Sequence, residues 1–184
     1  MVQYRVVPKE RGKTEMKTNI FLIGFMGSGK STIARTLKDK YHMRLVEMDE
    51  EIEKREKKKI SQIFADSGEA YFRELETELL TALSQQENTV VSCGGGVPMR
   101  EQNTAVMRRN GKVVYLSTRP ETVFERIHEQ HHRPLLEGNM NVAYISGLMK
   151  ERMPYYLAAA DITVGTDGCS ADEICEEIKR NFDE

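Results

Sequence analysis

The segment Gly24-Phe25-Met26-Gly27-Ser28-Gly29-Lys30-Ser31-Thr32 follows the apolar run Ile20-Phe21-Leu22-Ile23 and fits the pattern G-x-x-x-x-G-K-[ST]. The apolar run suits a buried strand, and the residues from about Ser31 to Lys40 read as a helix. A glycine-rich turn between strand and helix lets successive backbone N–H groups face one anion. The helix N-terminus adds partial positive charge at the same point. Gly27, Ser28, Gly29, Lys30, Ser31 and Thr32 are therefore the expected cradle for nucleotide phosphates. Lys30 can reach the β- and γ-phosphates, and the Ser31 hydroxyl is placed to ligate Mg²⁺.

The rest of the chain alternates in a way that suits this start. Arg44 to Met48 reads as a second strand, Thr89 to Cys93 as a third, Lys112 to Leu116 as a fourth and Asp161 to Val164 as a fifth. Glu50 to Lys59 is a charged helical surface. Residues 60–86 carry two helical segments broken near Ser67-Gly68. Ser170 is the expected N-cap of a last helix, with Glu173 in the capping-box position. Strands alternating with helices imply a parallel α/β sheet covered on both faces, with ligands beyond the C-terminal strand ends. Residues 1–18 are polar and without period, and read as an extension outside a domain of residues 19–184. At 184 residues the chain suits one core. Its formal net charge of -2 gives no global electrostatic footing for nucleic acid or an anionic membrane. There is no apolar run of membrane-spanning length. Cys93, Cys169 and Cys175 are an odd count without metal-ligand spacing, and reduced thiols in the cytosol are expected.

Beyond the cradle, the third strand ends in Gly94-Gly95-Gly96 rather than an acid, and no N-K-x-D occurs, against large ATPases and GTPases. An acid is still needed near metal and acceptor, and Glu47 and Asp49 stand where the second strand ends. Residues two apart on a strand point the same way, so one could hold Mg²⁺ through water and the other accept a hydroxyl proton. The alternative is an acidic helix start at Met48-Asp49-Glu50-Glu51. The three glycines make either a plain turn or a close backbone approach to a ligand. Arg73, Arg126, Arg133 and Arg152 could each fork onto a carboxylate or phosphate or serve as solvated surface charges.

Together these residues resemble the shikimate kinase family, over nearly all of residues 19–184. GFMGSGKST is similar to the family's Walker A segment. Its D-x-D motif falls on Glu47-Met48-Asp49, its Phe-Arg motif on Phe72-Arg73 and its triple glycine on Gly94-Gly95-Gly96. Its lid motif falls on Arg133-Pro134-Leu135-Leu136, and its R-x-P-x-Y segment on Arg152-Met153-Pro154-Tyr155-Tyr156. The resemblance implies a P-loop kinase three-layer sandwich with a five-stranded parallel sheet and a mobile lid at about 127–140. It implies ATP-dependent phosphorylation of the shikimate 3-hydroxyl, a step toward chorismate and the aromatic amino acids. Asp49 would contact the reacting hydroxyl, with Lys30 and Arg133 sharing the catalysis. Arg73 and Arg152 would grip the carboxylate, and Gly94, Gly95 and Gly96 would contact ring hydroxyls. Arg126 would lie along the nucleotide, and Arg133 would arrive with the lid. Ser31 and Glu47, the latter through water, would hold Mg²⁺. Glu47 departs from the family's aspartate by one methylene and can still bind water on Mg²⁺. The family analogy also implies a monomer.

His128-Glu129-Gln130-His131-His132 formally fits H-E-x-x-H. Arg133-Pro134 follows at once, however, and the residue before proline disfavours helix. A polar lid is the expectation rather than zinc. A gluconate or nucleoside monophosphate kinase, or a non-catalytic nucleotide-binding module, is the alternative to the main reading.

Overall fold

The computed structural model describes residues 18–83, 85–127 and 141–182. In chain order these form β1 (Asn19–Ile23), α1 (Lys30–Tyr41), β2 (Arg44–Glu47), α2 (Met48–Glu56), α3 (Ile60–Leu83), β3 (Thr89–Ser92) and a 3₁₀ turn at Val97–Met99. Then come α4 (Glu101–Asn110), β4 (Gly111–Ser117), α5 (Pro120–Ile127), α6 (Val142–Ala159), β5 (Ile162–Gly165) and α7 (Ala171–Phe182). The strands form one five-stranded sheet in the order β2-β3-β1-β4-β5, and every pairing is parallel. β1, which leads into the phosphate cradle, is central.

Strand alternation divides the core into two layers. Phe21 and Ile23 of β1, Val91, Val113 and Tyr115 face a cluster with α2, α3, α4, α5 and α6. Ile20 and Leu22, Val90, Val114, Leu116 and Val164 face the opposite way, onto α1 and α7. All five β1 residues are buried, which explains why that strand reads as an unbroken apolar run rather than an alternating one. Asn19 ties the lower edge together. Its amide donates to the carbonyls of Gln86 (2.6 Å) and Asn110 (3.0 Å), and its Oδ1 accepts from Thr89 N–H (3.0 Å). A polar group buried there is tolerated because its hydrogen bonds are made.

The expected break near Ser67-Gly68 is present: α3 bends at Gly68, whose φ of 80° and ψ of 173° are non-helical. The expected capping box is present as well, with Ser170 N–H donating to Glu173 Oε2 (2.8 Å) and Glu173 N–H to Ser170 Oγ (3.3 Å). One boundary moves. β2 stops at Glu47 and α2 begins at Met48, so Asp49 belongs to the first turn of a helix and not to a strand. Asp49, Glu50 and Glu51 all favour that helix start, where the dipole stabilises negative charge. The helices α4, α5 and α6, which carry much of the packing against the first layer, are additions to the elements read from sequence.

Candidate active site

The cradle forms where β1 ends. Gly27 (φ 76°) and Gly29 (φ 97°) take left-handed backbone that other residues rarely adopt. Ser28 N–H closes the turn onto the Phe25 carbonyl (3.2 Å). A Cβ on Gly27 would lie 2.8 Å from Ile127 Cγ2, so α5 packs directly on the loop. Lys30 Nζ donates to the carbonyls of Gly24 and Phe25, both at 2.9 Å, and so lies folded over its own loop. Arg126 of α5 donates from Nη1 to the Gly27 carbonyl (3.0 Å), which puts its guanidinium beside the cradle. Ser28 is buried with its hydroxyl against Gly24, whereas Thr32 is exposed on the first turn of α1.

Ser31 Oγ donates to Glu47 Oε2 (2.9 Å), and Arg35 Nη2 lies 3.6 Å from Glu47 Oε1. That second carboxylate oxygen is buried and makes no hydrogen bond among the described residues. A hydroxyl and one carboxylate whose second oxygen accepts no hydrogen bond among the described residues suit Mg²⁺, which takes few protein ligands and keeps waters and phosphate oxygens. Glu47 and Asp49 are thus not placed by strand alternation. The turn from β2 into α2 separates them, Glu47 toward Ser31 and Asp49 toward Gly94.

The three glycines after β3 are where the other residues converge. A Cβ on Gly94 would run into Glu76 Oε1 and come within 3.3 Å of Asp49 Oδ1. A Cβ on Gly96 would run into the Arg73 guanidinium, with Nη2 at 2.9 Å. A Cβ on Gly95 would meet Arg152 Nη1 at 3.6 Å, the Gly24 carbonyl at 3.7 Å and the Tyr156 hydroxyl at 3.7 Å. The absent side chains therefore admit protein groups close to the backbone, a third role beside the turn and ligand-contact readings. Arg73 approaches from α3 and Arg152 from α6. Asp49 is exposed, with its carboxylate against Gly94.

Each arginine is held. Arg73 donates from Nη1 to Glu76 Oε2 (2.8 Å) and from Nη2 to Glu69 Oε1 (2.8 Å). Glu76 is 1% exposed, and its other oxygen makes no hydrogen bond among the described residues. Burial pushes its carboxyl above the usual range, while the Arg73 charge pulls it back down. Arg152 lies over the Phe25 ring, 5.6 Å from the guanidinium carbon to the centroid. Tyr156 donates to the Gly95 carbonyl (2.8 Å) and stacks on Tyr115. Burial pushes its phenol up to about 12, so at neutral pH it remains a donor. Sequence reasoning missed Glu76, Glu69 and the role of Phe25. Glu76 had a signal, since it stands three residues after Arg73 on one helix. Cys93 is 2% exposed and its thiol is pushed up by burial, which suits a packed residue rather than a reactive one. Arg133, the R-P-L-L segment and the H-E-x-x-H stretch lie outside the described residues. Among the described residues no helix is long and apolar enough to cross a membrane.

Comparison with known proteins points to one family. The family model described as shikimate kinase matches residues 26–183. A shikimate kinase of Dehalococcoides mccartyi is 44% identical over 163 residues, covering 89% of this chain and 92% of the relative. That of Persephonella marina is 46% identical over 160 residues, covering 87% and 96%. The structure is similar to that of shikimate kinase from Acinetobacter baumannii in complex with shikimate, with a TM-score of 0.85 and 32% identity, covering 91% of this chain and 93% of that one.

Proposed function

Because the chain belongs to the shikimate kinase family, we propose that it transfers the γ-phosphoryl group of ATP to the 3-hydroxyl of shikimate, giving shikimate 3-phosphate and ADP. The observation that carries the substrate reading is the pair Arg73 and Arg152, set against Gly96 and Gly95 of one glycine turn, with Asp49 against Gly94. Two guanidinium forks suit a carboxylate, and an exposed carboxylate beside them suits a hydroxyl of the same small molecule. Gluconate shares that chemistry, so the family match decides between the two acceptors.

In this reading the acceptor carboxylate displaces Glu69 from Arg73. Glu69 is 64% exposed, and exposed ion pairs contribute little. Glu76 stays and keeps the guanidinium aimed. Gly94, Gly95 and Gly96 bring backbone to the ring hydroxyls. Lys30 leaves the Gly24 and Phe25 carbonyls for the phosphates, Arg126 lies along the nucleotide, and Arg133 joins the clamp from a lid at about 127–140. Ser31, and Glu47 through water, would hold Mg²⁺, which when bound draws charge from the β- and γ-phosphoryl oxygens. The acceptor oxygen bonds to the γ-phosphorus as the bond to the β,γ-bridging oxygen breaks. Asp49 orients the hydroxyl and takes its proton, and ADP leaves. The enzyme would act as a cytosolic monomer on the route to chorismate and the aromatic amino acids.

The test is ADP release with Mg·ATP across shikimate, quinate, gluconate, AMP and CMP. Turnover on shikimate alone is expected. Turnover on another acceptor in its place would overturn the substrate assignment, and ATP binding with no turnover on any would leave a nucleotide-binding module. Residues 1–18 lie outside the working domain in this reading. Their deletion is expected to leave kcat/KM within about two-fold, as for a terminus that contributes nothing to the core. A large loss would make them part of the fold or the site.

A further inference from the structure

Phe25 stands inside the phosphate cradle, yet its ring serves no phosphate. Its backbone carbonyl accepts from Lys30 Nζ (2.9 Å) and from Ser28 N–H (3.2 Å), so its main chain belongs to the nucleotide side. Its side chain is 2% exposed and joins the core layer on the α6 side of the sheet. The Arg152 guanidinium lies over that ring at 5.6 Å, within the reach of a cation–π attraction. Leucine or methionine would satisfy the burial alone, but only an aromatic face attracts a cation.

We propose that Phe25 is a positioning residue for the acceptor: its ring face holds the Arg152 guanidinium on the Gly95 side of the site, ready for a carboxylate. The proposal rests on the shikimate kinase reading. Arg152 is half-buried on α6, and Tyr156 one turn later anchors the helix to the Gly95 carbonyl. The same hydroxyl also meets the Arg152 side chain, a contact separate from the one with the Phe25 ring face. A side chain with this much rotamer freedom pays for ordering unless something holds it beforehand. Beside the Tyr156 hydroxyl, the Phe25 ring adds a hold from a loop that is itself locked by its glycines and by Ser28. One residue thereby joins the two half-sites, its carbonyl facing Lys30 and its ring facing Arg152.

The test replaces Phe25 with 4-fluoro-, 3,5-difluoro- and 3,4,5-trifluorophenylalanine in the full chain. Fluorine drains the ring face of negative charge while nearly preserving shape. Shikimate and ATP affinities are then measured separately by calorimetry. Shikimate Kd is expected to rise stepwise with fluorine number, to about three- to ten-fold for the trifluoro ring, given the usual strength of such contacts. ATP Kd should stay within about two-fold, because the Phe25 carbonyl is untouched. Phe25→Leu should raise the shikimate KM with little change in kcat. A flat shikimate series, or an equal loss of ATP affinity, would overturn the inference while leaving the kinase reading in place. Failure of the unmodified chain to bind shikimate would instead sink the kinase reading, and this inference with it.

Discussion

Asp49→Asn lowers kcat with shikimate by about 10²- to 10⁴-fold, the usual span for loss of a general base. Mg·ATP affinity stays within about two-fold, since the change leaves the cradle intact. Asparagine matches aspartate in shape and can still accept a hydrogen bond, but it cannot take a proton at neutral pH. Asp49 is exposed on the first turn of α2, so no packing is lost. Steady-state kinetics and an independent ATP titration separate the two effects. Phosphoryl transfer has a loose transition state in most analyses, with positioning and electrostatics dominant. Turnover of Asp49→Asn close to the unmodified rate would therefore mean that orientation suffices and that Asp49 is no base.

Glu76→Ala is the second large effect, and it falls on stability and acceptor binding together. Glu76 is buried and its Oε2 pairs with Arg73 Nη1 at 2.8 Å. Removing one partner of a buried pair leaves an uncompensated charge and costs about 3–5 kcal/mol. Arg73 would keep the Phe72 ring beneath it and, as its carboxylate partner among the described residues, the exposed Glu69, which the acceptor must displace. Its guanidinium also presses on Gly96, so its aim depends on Glu76 from one side and on a missing side chain from the other. Thermal or denaturant unfolding reads the first loss, and shikimate KM at saturating ATP reads the second. Glu76→Gln keeps a hydrogen-bond acceptor of the same size but not the charge, and should recover only part of the stability. If Glu76→Ala unfolds like the unmodified protein and binds shikimate equally well, Arg73 is positioned by something else.

Much of this molecule was legible before any coordinates. The central strands stood out because β3, β1 and β4 lie between neighbours and carry buried apolar runs, as parallel strands do. The cradle stood out because every residue it needs is adjacent in sequence. The bend at Gly68 and the Ser170–Glu173 box were equally local. The placement of Asp49 was not. Period-two reasoning carried β2 one residue too far, and the acidic start of α2 took Asp49 into a helix. The carboxylate still reaches the Gly94 turn, by the strand-to-helix corner rather than by strand alternation.

What the sequence determined by itself was therefore the set of local devices: a β1–loop–α1 cradle with Lys30 and Ser31, a parallel sheet around it, and the residue types for a small anionic alcohol. Each depends on neighbours a few residues away, where backbone geometry follows directly from side-chain identity. Tertiary structure alone decided that Arg73 and Arg152 flank the same three glycines, that Glu76 lies buried beneath them, and that Phe25 underlies Arg152. Those contacts join α3, α6 and the β1 loop, elements far apart in the chain. Their meeting is set by how helices pack on a twisted sheet, which residue spacing does not encode.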